Sequence, residues 1–374
     1  MEEINEAYHM QLLDFDTAKR NEWVKNRKPF SVLFELTPRC NMHCVHCYLQ
    51  NHHTSEQLSF QEIIEIIDIL YHKGILFLTF TGGEILTRTD FLSIYLYAKR
   101  KGFLVELFTN GVLFTDEIIS VLGEYPPLLV DVSIYGASDN IYEKITGMKG
   151  TLECVIGNCK KIKDAGVRVS LKSPIMNDTL PELLDMKKIA EDIGIPFVCT
   201  FEICNTIDKS DKPKEYQAAL ADSIKYEFND YYDQIDRGER LAAQYNSAKI
   251  NELLKNEYVY SCNVALNSFV IDFQGNMCPC MKLRHRGVKL LSNNYDEIWE
   301  GFSVYSNMIA SDSYVCKTCE AQYYCDVCPA EMEFLYDDVE YRPVSVCMSA
   351  KIRKGFYDNI LTFEEAVNIA TFYE

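Results

Sequence analysis

Three cysteines stand close together in Thr37-Pro-Arg-Cys40-Asn-Met-His-Cys44-Val-His-Cys47-Tyr48, spaced C-x3-C-x2-C. Three thiolates on one short loop can wrap three irons of a four-iron cube, which leaves the fourth iron without a protein ligand. An open metal position marks chemistry rather than structure. The same spacing also suits a zinc knuckle with His43 or His46 as fourth ligand, and spacing alone does not separate the two. A second set runs through Cys262, Cys278-Pro-Cys280, Cys316-Lys-Thr-Cys319, Cys325-Asp-Val-Cys328 and Cys347. Paired C-x2-C units of this kind hold iron clusters or build structural zinc ribbons. The remaining cysteines are Cys154, Cys159, Cys199 and Cys204. The first two fall on a predicted helix and read as small core residues.

The whole chain supports a metal reading. It has 15 cysteines in 374 residues, begins with an acidic segment rather than an apolar signal core, and has no apolar run long enough to span a bilayer. That predicts a cytoplasmic protein with no membrane partner, and cytosolic thiols serve metals or catalysis more often than disulfides. A net charge of −18 argues against nucleic acid as partner, because phosphate binding needs clustered Lys and Arg. With 48% hydrophobic residues, 24 Tyr and 20 Phe, the chain can fill a large core.

These residues must be positioned by something, and the pattern from residue 30 onward supplies it. Strands are predicted at Ser31–Leu36, Leu76–Thr81, Leu104–Thr109, Leu129–Ile134, Val167–Lys172 and Phe197–Glu202, each a short β-branched and aromatic run. Helices lie between them. One opens on a capping box, Ser59 with Glu62; others span about 90–101, 151–166 and 181–193, the last three stopping at Gly102, Gly166 and Gly194. Six strand–helix units of roughly 30 residues each predict right-handed βαβ crossovers, two units short of a closed barrel. The expected fold is α/β: a partial (β/α)6 TIM-type barrel followed by a small cysteine-rich α+β iron–sulfur domain. The expected divisions are a helical extension at 1–29, the partial barrel at 30–213, a helical bridge at 214–257, the cysteine-rich domain at 258–350 and a helical tail at 351–374. The first cysteine loop then lies at the C-terminal end of strand one, where barrel sites form.

With that context the chain resembles the radical SAM superfamily. The resemblance rests on the C-x3-C-x2-C loop with Tyr48 beside its last cysteine, and on Thr81-Gly82-Gly83-Glu84 closing strand two like the family's GGE motif. In relatives that motif contacts the amino group of S-adenosylmethionine. Two glycines allow close backbone approach, and a carboxylate suits an ammonium. Asn110 after strand three and Ser133 after strand four are the further cofactor-binding candidates, Ser133 for the ribose. Both also fit ordinary turn and cap chemistry. Lys172 is the guess for the cofactor's carboxylate.

The second cysteine set resembles the SPASM domain, which holds two auxiliary four-iron clusters. The resemblance assigns Cys262, Cys280 and Cys328 to one cluster, and Cys316, Cys319, Cys325 and Cys347 to the other. The spacing from Cys325 to Cys328 is one residue shorter than usual, and the pattern supplies seven ligands where two cubes take eight. Cys278 is the candidate eighth. Without it, one auxiliary iron stays open to a substrate group or water.

The family implies reductive cleavage of S-adenosylmethionine to a 5′-deoxyadenosyl radical that takes hydrogen from a substrate. The implied cofactors are S-adenosylmethionine, a [4Fe-4S] cluster on Cys40, Cys44 and Cys47, and two auxiliary [4Fe-4S] clusters. Relatives of this type often mature ribosomal peptides by thioether or carbon–carbon crosslinks, oxidation or epimerisation. A peptide or protein substrate is therefore expected, with an electron donor such as flavodoxin or ferredoxin and a separate leader-peptide-binding protein. The only catalytic candidate is Cys204, as a hydrogen-atom donor after strand six; a structural thiol is the plainer reading. A sulfatase-maturase-like activity is a rival, although those relatives carry Asp where this chain has Met281. Heme-precursor or other small-metabolite chemistry is another. A different class, a non-catalytic iron–sulfur carrier or zinc-stapled binding protein, has no use for the Gly-Gly-Glu segment or an open cluster.

Overall fold

Short β-branched runs separated by amphipathic helices fold into a parallel sheet with helices on its outer face. The computed structural model describes residues 22–49, 57–229, 257–260 and 262–373. From β1 (Ser31–Thr37) the chain runs through α1 (Phe60–His72), β2 (Phe77–Gly82), α2 (Phe91–Arg100), β3 (Leu104–Thr109), α3 (Asp116–Glu124) and β4 (Leu129–Ser133). Two helices, α4 (Asp139–Thr146) and α5 (Leu152–Asp164), precede β5 (Val169–Pro174), α6 (Leu183–Ile193) and β6 (Phe197–Thr200). β6 stops at Thr200 rather than at the expected Glu202, whose carboxylate instead reaches the Lys282 ammonium at 3.3 Å.

β1 to β6 pair in parallel, each with the next. Val32, Phe34, Leu78, Phe80, Val105, Leu107, Val130 and Val132 point outward and are wholly buried against Ile63, Ile67, Leu70, Ile94, Tyr95 and Val155 of the helices. Each such side chain stabilises the fold by about 1.5–3 kcal/mol. The alternate residues point inward and are largely polar. There Thr79 donates to Glu106 at 3.1 Å, Ser170 donates to Asp131 at 2.7 Å, and Lys172 pairs with Asp131 at 2.9 Å. That inner polarity gives β3 and β4 a strict alternation of burial. The Ser59–Glu62 box caps α1: Ser59 Oγ accepts from the Glu62 N–H, and Glu62 Oε2 accepts from the Ser59 N–H at 2.8 Å.

The cysteine-rich region continues the same sheet. After α7 (Leu220–Asn229) come β7 (Ser268–Ile271), β8 (Asn276–Cys278) and β9 (Val288–Lys289), and the strand order is β6-β5-β4-β3-β2-β1-β7-β8-β9. β7 runs parallel to β1, with Ser31 opposite Ser268 and Phe34 opposite Ile271. Short helices α8 (Tyr295–Gly301), α9 (Ser303–Ser306) and α10 (Pro329–Tyr336) follow, then α11 (Val344–Tyr357) and α12 (Phe363–Phe372). α11 passes through residue 350, where the sequence suggested a division. It packs with α12 on α7 around Ile224, Phe228, Ile352 and Ala366, and the Phe228 and Phe356 rings stack 3.8 Å apart. No helix among the described residues is long and apolar enough to cross a membrane.

Candidate active site and cysteine centres

The loop that carries Cys40, Cys44 and Cys47 leaves the C-terminal end of β1 and is clamped from two sides. On one side the Gly83 N–H donates to Thr37 O at 2.8 Å and the Glu84 N–H to Arg39 O at 2.7 Å. Only glycine permits this approach. A Cβ on Gly82 would lie 2.3 Å from Thr37 O, and one on Gly83 would lie 2.3 Å from Arg39 O. Gly82 also adopts φ +137°, which L side chains rarely tolerate. On the other side, the end of α4 accepts from the loop: His43 N–H to Thr146 O at 2.9 Å and Val45 N–H to Ile145 O at 3.0 Å.

The three thiols ring a cavity of about 190 Å³ that is also lined by Tyr48, Gly82, Gly83, Asn110, Ser133 and Lys172. Burial, then the charges of Cys47 and Cys40, push the Cys44 thiol well above its ordinary range. Burial likewise raises Cys47 to about 12 and raises Cys40. Such thiols stay neutral until a metal cation draws off their protons. Among the described residues, no three His, Cys, Asp or Glu side chains close on one point as a single metal ion requires. The three thiols line one cavity from a single loop, an arrangement that can ligate three irons of a four-iron cube.

Of the cofactor-binding candidates, Gly82, Gly83, Asn110, Ser133, Lys172 and Tyr48 meet in this cavity, while the Glu84 carboxylate turns away from it. Glu84 is wholly buried. Its Oε1 accepts from the Leu86 N–H at 3.0 Å and the Thr109 hydroxyl at 2.8 Å, and its Oε2 accepts from the Asn110 N–H at 2.7 Å. Burial raises its pKa although these three donors oppose the shift. Glu84 therefore ties the end of β2 to the end of β3 and places Asn110, whose side-chain amide donates to Asn41 Oδ1 at 2.7 Å and lies 3.8 Å from Cys40 Sγ. Lys172 reaches down to Asp131 with its ammonium 3.2 Å from the Phe108 ring centre.

The later cysteines fall into two groups. Cys316, Cys319, Cys325 and Cys347 line a second cavity of about 230 Å³. Cys262, Cys280 and Cys328 lie close enough to feel one another's charge, which adds to burial in raising Cys280 to about 12. Cys278 is wholly buried in β8 with its Sγ against the Gly287 backbone, where a Cβ would come within 2.7 Å. Asp272, Arg284 and Glu35 act on it more strongly than Cys280 does. Cys204 Sγ sits 3.2 Å from Lys282 Nζ, and Lys282 also pairs with Glu331 at 3.2 Å. Cys159 is buried in α5 as expected, whereas Cys154 on the same helix is exposed. Five residues on a helix turn through about 140°, so the two cannot share the core face.

Sequence reasoning missed Glu35, Lys282 and Arg284. Glu35 had a signal, the one charge in the apolar run of β1; the two basic residues had none.

Residues 34–190 match the Radical SAM superfamily model. The chain carries a radical SAM domain. This domain accounts for β1 to α6 and includes the first cysteine loop. Over 184 residues it is 30% identical to the Fe-coproporphyrin III synthase of Methanosarcina barkeri, covering 49% of this chain and 46% of that protein. Over 170 residues it is 29% identical to the antilisterial bacteriocin subtilosin biosynthesis protein AlbA of Bacillus subtilis, covering 44% of this chain and 38% of that protein. The chain thus spans about half or less of the length of these relatives. The fold likeness reaches beyond the radical SAM domain. Streptococcus suis SuiB bound to precursor peptide SuiA superposes with a TM-score of 0.66 over 88% of this chain and 79% of that one, at 14% identity. Native anSMEcpe with bound AdoMet and Cp18Cys peptide superposes with a TM-score of 0.63 over 92% and 99%, at 19% identity.

Proposed function

We propose that the chain is a radical S-adenosylmethionine enzyme that modifies a peptide or protein. The observation that carries this is the ring of Cys40, Cys44 and Cys47 around a cavity at the C-terminal ends of the strands, within the segment that matches the superfamily. The three thiolates would hold a [4Fe-4S] cluster with one open iron. When bound, this cluster and S-adenosylmethionine supply reductive bond cleavage and hydrogen-atom abstraction from a substrate carbon. The Gly82–Gly83 backbone and Asn110 would hold the cofactor beside the cluster, with Ser133 toward its ribose and Lys172 toward its carboxylate. Tyr48 lines the cavity wall beside Cys47. Cys262, Cys280 and Cys328 would take one auxiliary cluster, and Cys316, Cys319, Cys325 and Cys347 the other.

A peptide substrate is supported by AlbA among the relatives, and by a fold shared with SuiB and anSMEcpe over most of the chain. Thioether or carbon–carbon crosslinking, oxidation and epimerisation all fit this class. A flavodoxin or ferredoxin would deliver the electron, and a separate protein would present the leader. Met281 stands where sulfatase maturases carry Asp, which counts against that activity. A second reading has its own support: relatives include the Fe-coproporphyrin III synthase and heme synthases, so an iron porphyrin is the alternative substrate.

Anaerobically reconstituted protein given dithionite and S-adenosylmethionine should release 5′-deoxyadenosine, and Cys44→Ala should release none. Equal release from Cys44→Ala would refute the assignment. A short precursor peptide encoded beside the gene and altered in mass by the enzyme supports the first substrate class; turnover of iron coproporphyrin III supports the second.

A further inference from the structure

We propose that the buried carboxylate of Glu35, held between Tyr48 and Arg284, sets the reduction potential of the metal group gripped by Cys40, Cys44 and Cys47. The inference rests on reading that loop as an iron-cluster site and assigns a positioning role to three residues outside the ligand set.

Glu35 lies on the inner face of β1, wholly buried, just before the turn into the cysteine loop. Its Oε1 accepts from the Tyr48 hydroxyl at 2.7 Å and from Arg284 Nη2. Its Oε2 has no hydrogen-bond partner among the described residues, and neither has Arg284 Nε. The guanidinium also sits 5.5 Å from the Tyr48 ring centre. The three side chains thus form one linked unit, a wholly buried carboxylate facing the part-buried Arg284 guanidinium and the part-buried Tyr48 hydroxyl.

This unit abuts the cysteine loop. Tyr48 follows Cys47 directly in the chain and lines the same cavity as the three thiols. A buried ion pair is a poor source of stability, because desolvation offsets its attraction. Its effect on a neighbouring redox group is another matter. Charges beside a cluster act through a low dielectric, where Coulomb interactions are strong, and hydrogen bonds and charges around the ligands tune iron–sulfur potentials. An electron arriving on the cluster is disfavoured by Glu35 and favoured by Arg284. Arg284 comes from the segment between Cys280 and Gly287, so the seating of the later cysteine region feeds directly into the electrostatics of the first loop.

The test is an anaerobic redox titration of the holoenzyme followed by electron paramagnetic resonance. The first cluster is recognised by the change in its signal when S-adenosylmethionine is added, and iron per chain is measured for every variant. Glu35→Gln should raise the midpoint potential, Arg284→Met should lower it, and the double variant should fall between them. A purely structural role predicts no such opposition. Potentials that stay put, or move in the same direction in both single variants at wild-type iron content, overturn the proposal. Should Glu35→Gln fail to fold, Arg284→Met decides alone, and a potential equal to or above wild type overturns it. A wild-type protein with no signal sensitive to S-adenosylmethionine instead sinks the cluster assignment beneath it.

Discussion

Gly83→Ala should loosen the cysteine loop at its root. A Cβ at this position would stand 2.3 Å from Arg39 O and 2.6 Å from Pro38 O, both backbone atoms that no rotamer change can move. Restoring ordinary contact needs the two segments to part by roughly 1 Å. That separation would stretch both the 2.8 Å bond from Gly83 N–H to Thr37 O and the 2.7 Å bond from Glu84 N–H to Arg39 O past useful length. Two lost hydrogen bonds at about 0.5–1.5 kcal/mol each, with about 1–3 kcal/mol of overpacking, give roughly 2–6 kcal/mol. A domain stable by about 5–15 kcal/mol feels such a loss. Denaturant unfolding under anaerobic, reducing conditions measures it, with iron per chain as the second readout. Gly157→Ala in α5 is the control, since a Cβ there meets nothing within 4 Å and should be neutral or gain up to about 1 kcal/mol. If Gly83→Ala unfolds within about 0.5 kcal/mol of wild type and holds full iron, the clamp reasoning is wrong.

Glu84→Gln would point a new N–H donor at an existing one. We expect a loss of about 1–3 kcal/mol in denaturant unfolding, and weaker S-adenosylmethionine binding in equilibrium dialysis through a displaced Asn110. Cys278→Ala should keep the full iron content, because its Sγ packs on Gly287; loss of one cluster's iron would make Cys278 a ligand after all. Lys282→Met would leave Glu331 with Lys214 as its remaining cation, at 3.3 Å, and should cost about 1–3 kcal/mol in unfolding experiments. An unchanged midpoint there would show that the contacts among Lys282, Glu202 and Cys204 are incidental.

Local chemistry made much of the barrel legible before any coordinates. β1 and β3 lie where their β-branched and aromatic runs place them, and the Ser59–Glu62 box caps α1 as its spacing requires. The first cysteine loop stood out by its C-x3-C-x2-C spacing, whereas the division of the later cysteines into two sets came from the resemblance to the SPASM domain, because Cys262, Cys280 and Cys328 lie far apart in the chain. Other features depend on contacts that no local pattern encodes. The sequence places Glu84 at the motif but cannot tell that three donors from α2's approach and β3 turn its carboxylate inward. Nothing in the segment around Arg284 announces a partner as distant as Glu35. The docking of β7 against β1 was equally invisible, because pairing between strands this far apart is chosen by the whole fold.

That docking constrains how the protein can be made. β1 is sandwiched between β2, synthesised soon after it, and β7, which leaves the ribosome only after β2 to β6 have all been made. Until then one flank of a Val-, Leu- and Phe-rich strand is bare, a template for pairing with another copy. Truncation before Ser268 would make that exposure permanent, so the barrel half expressed by itself should aggregate.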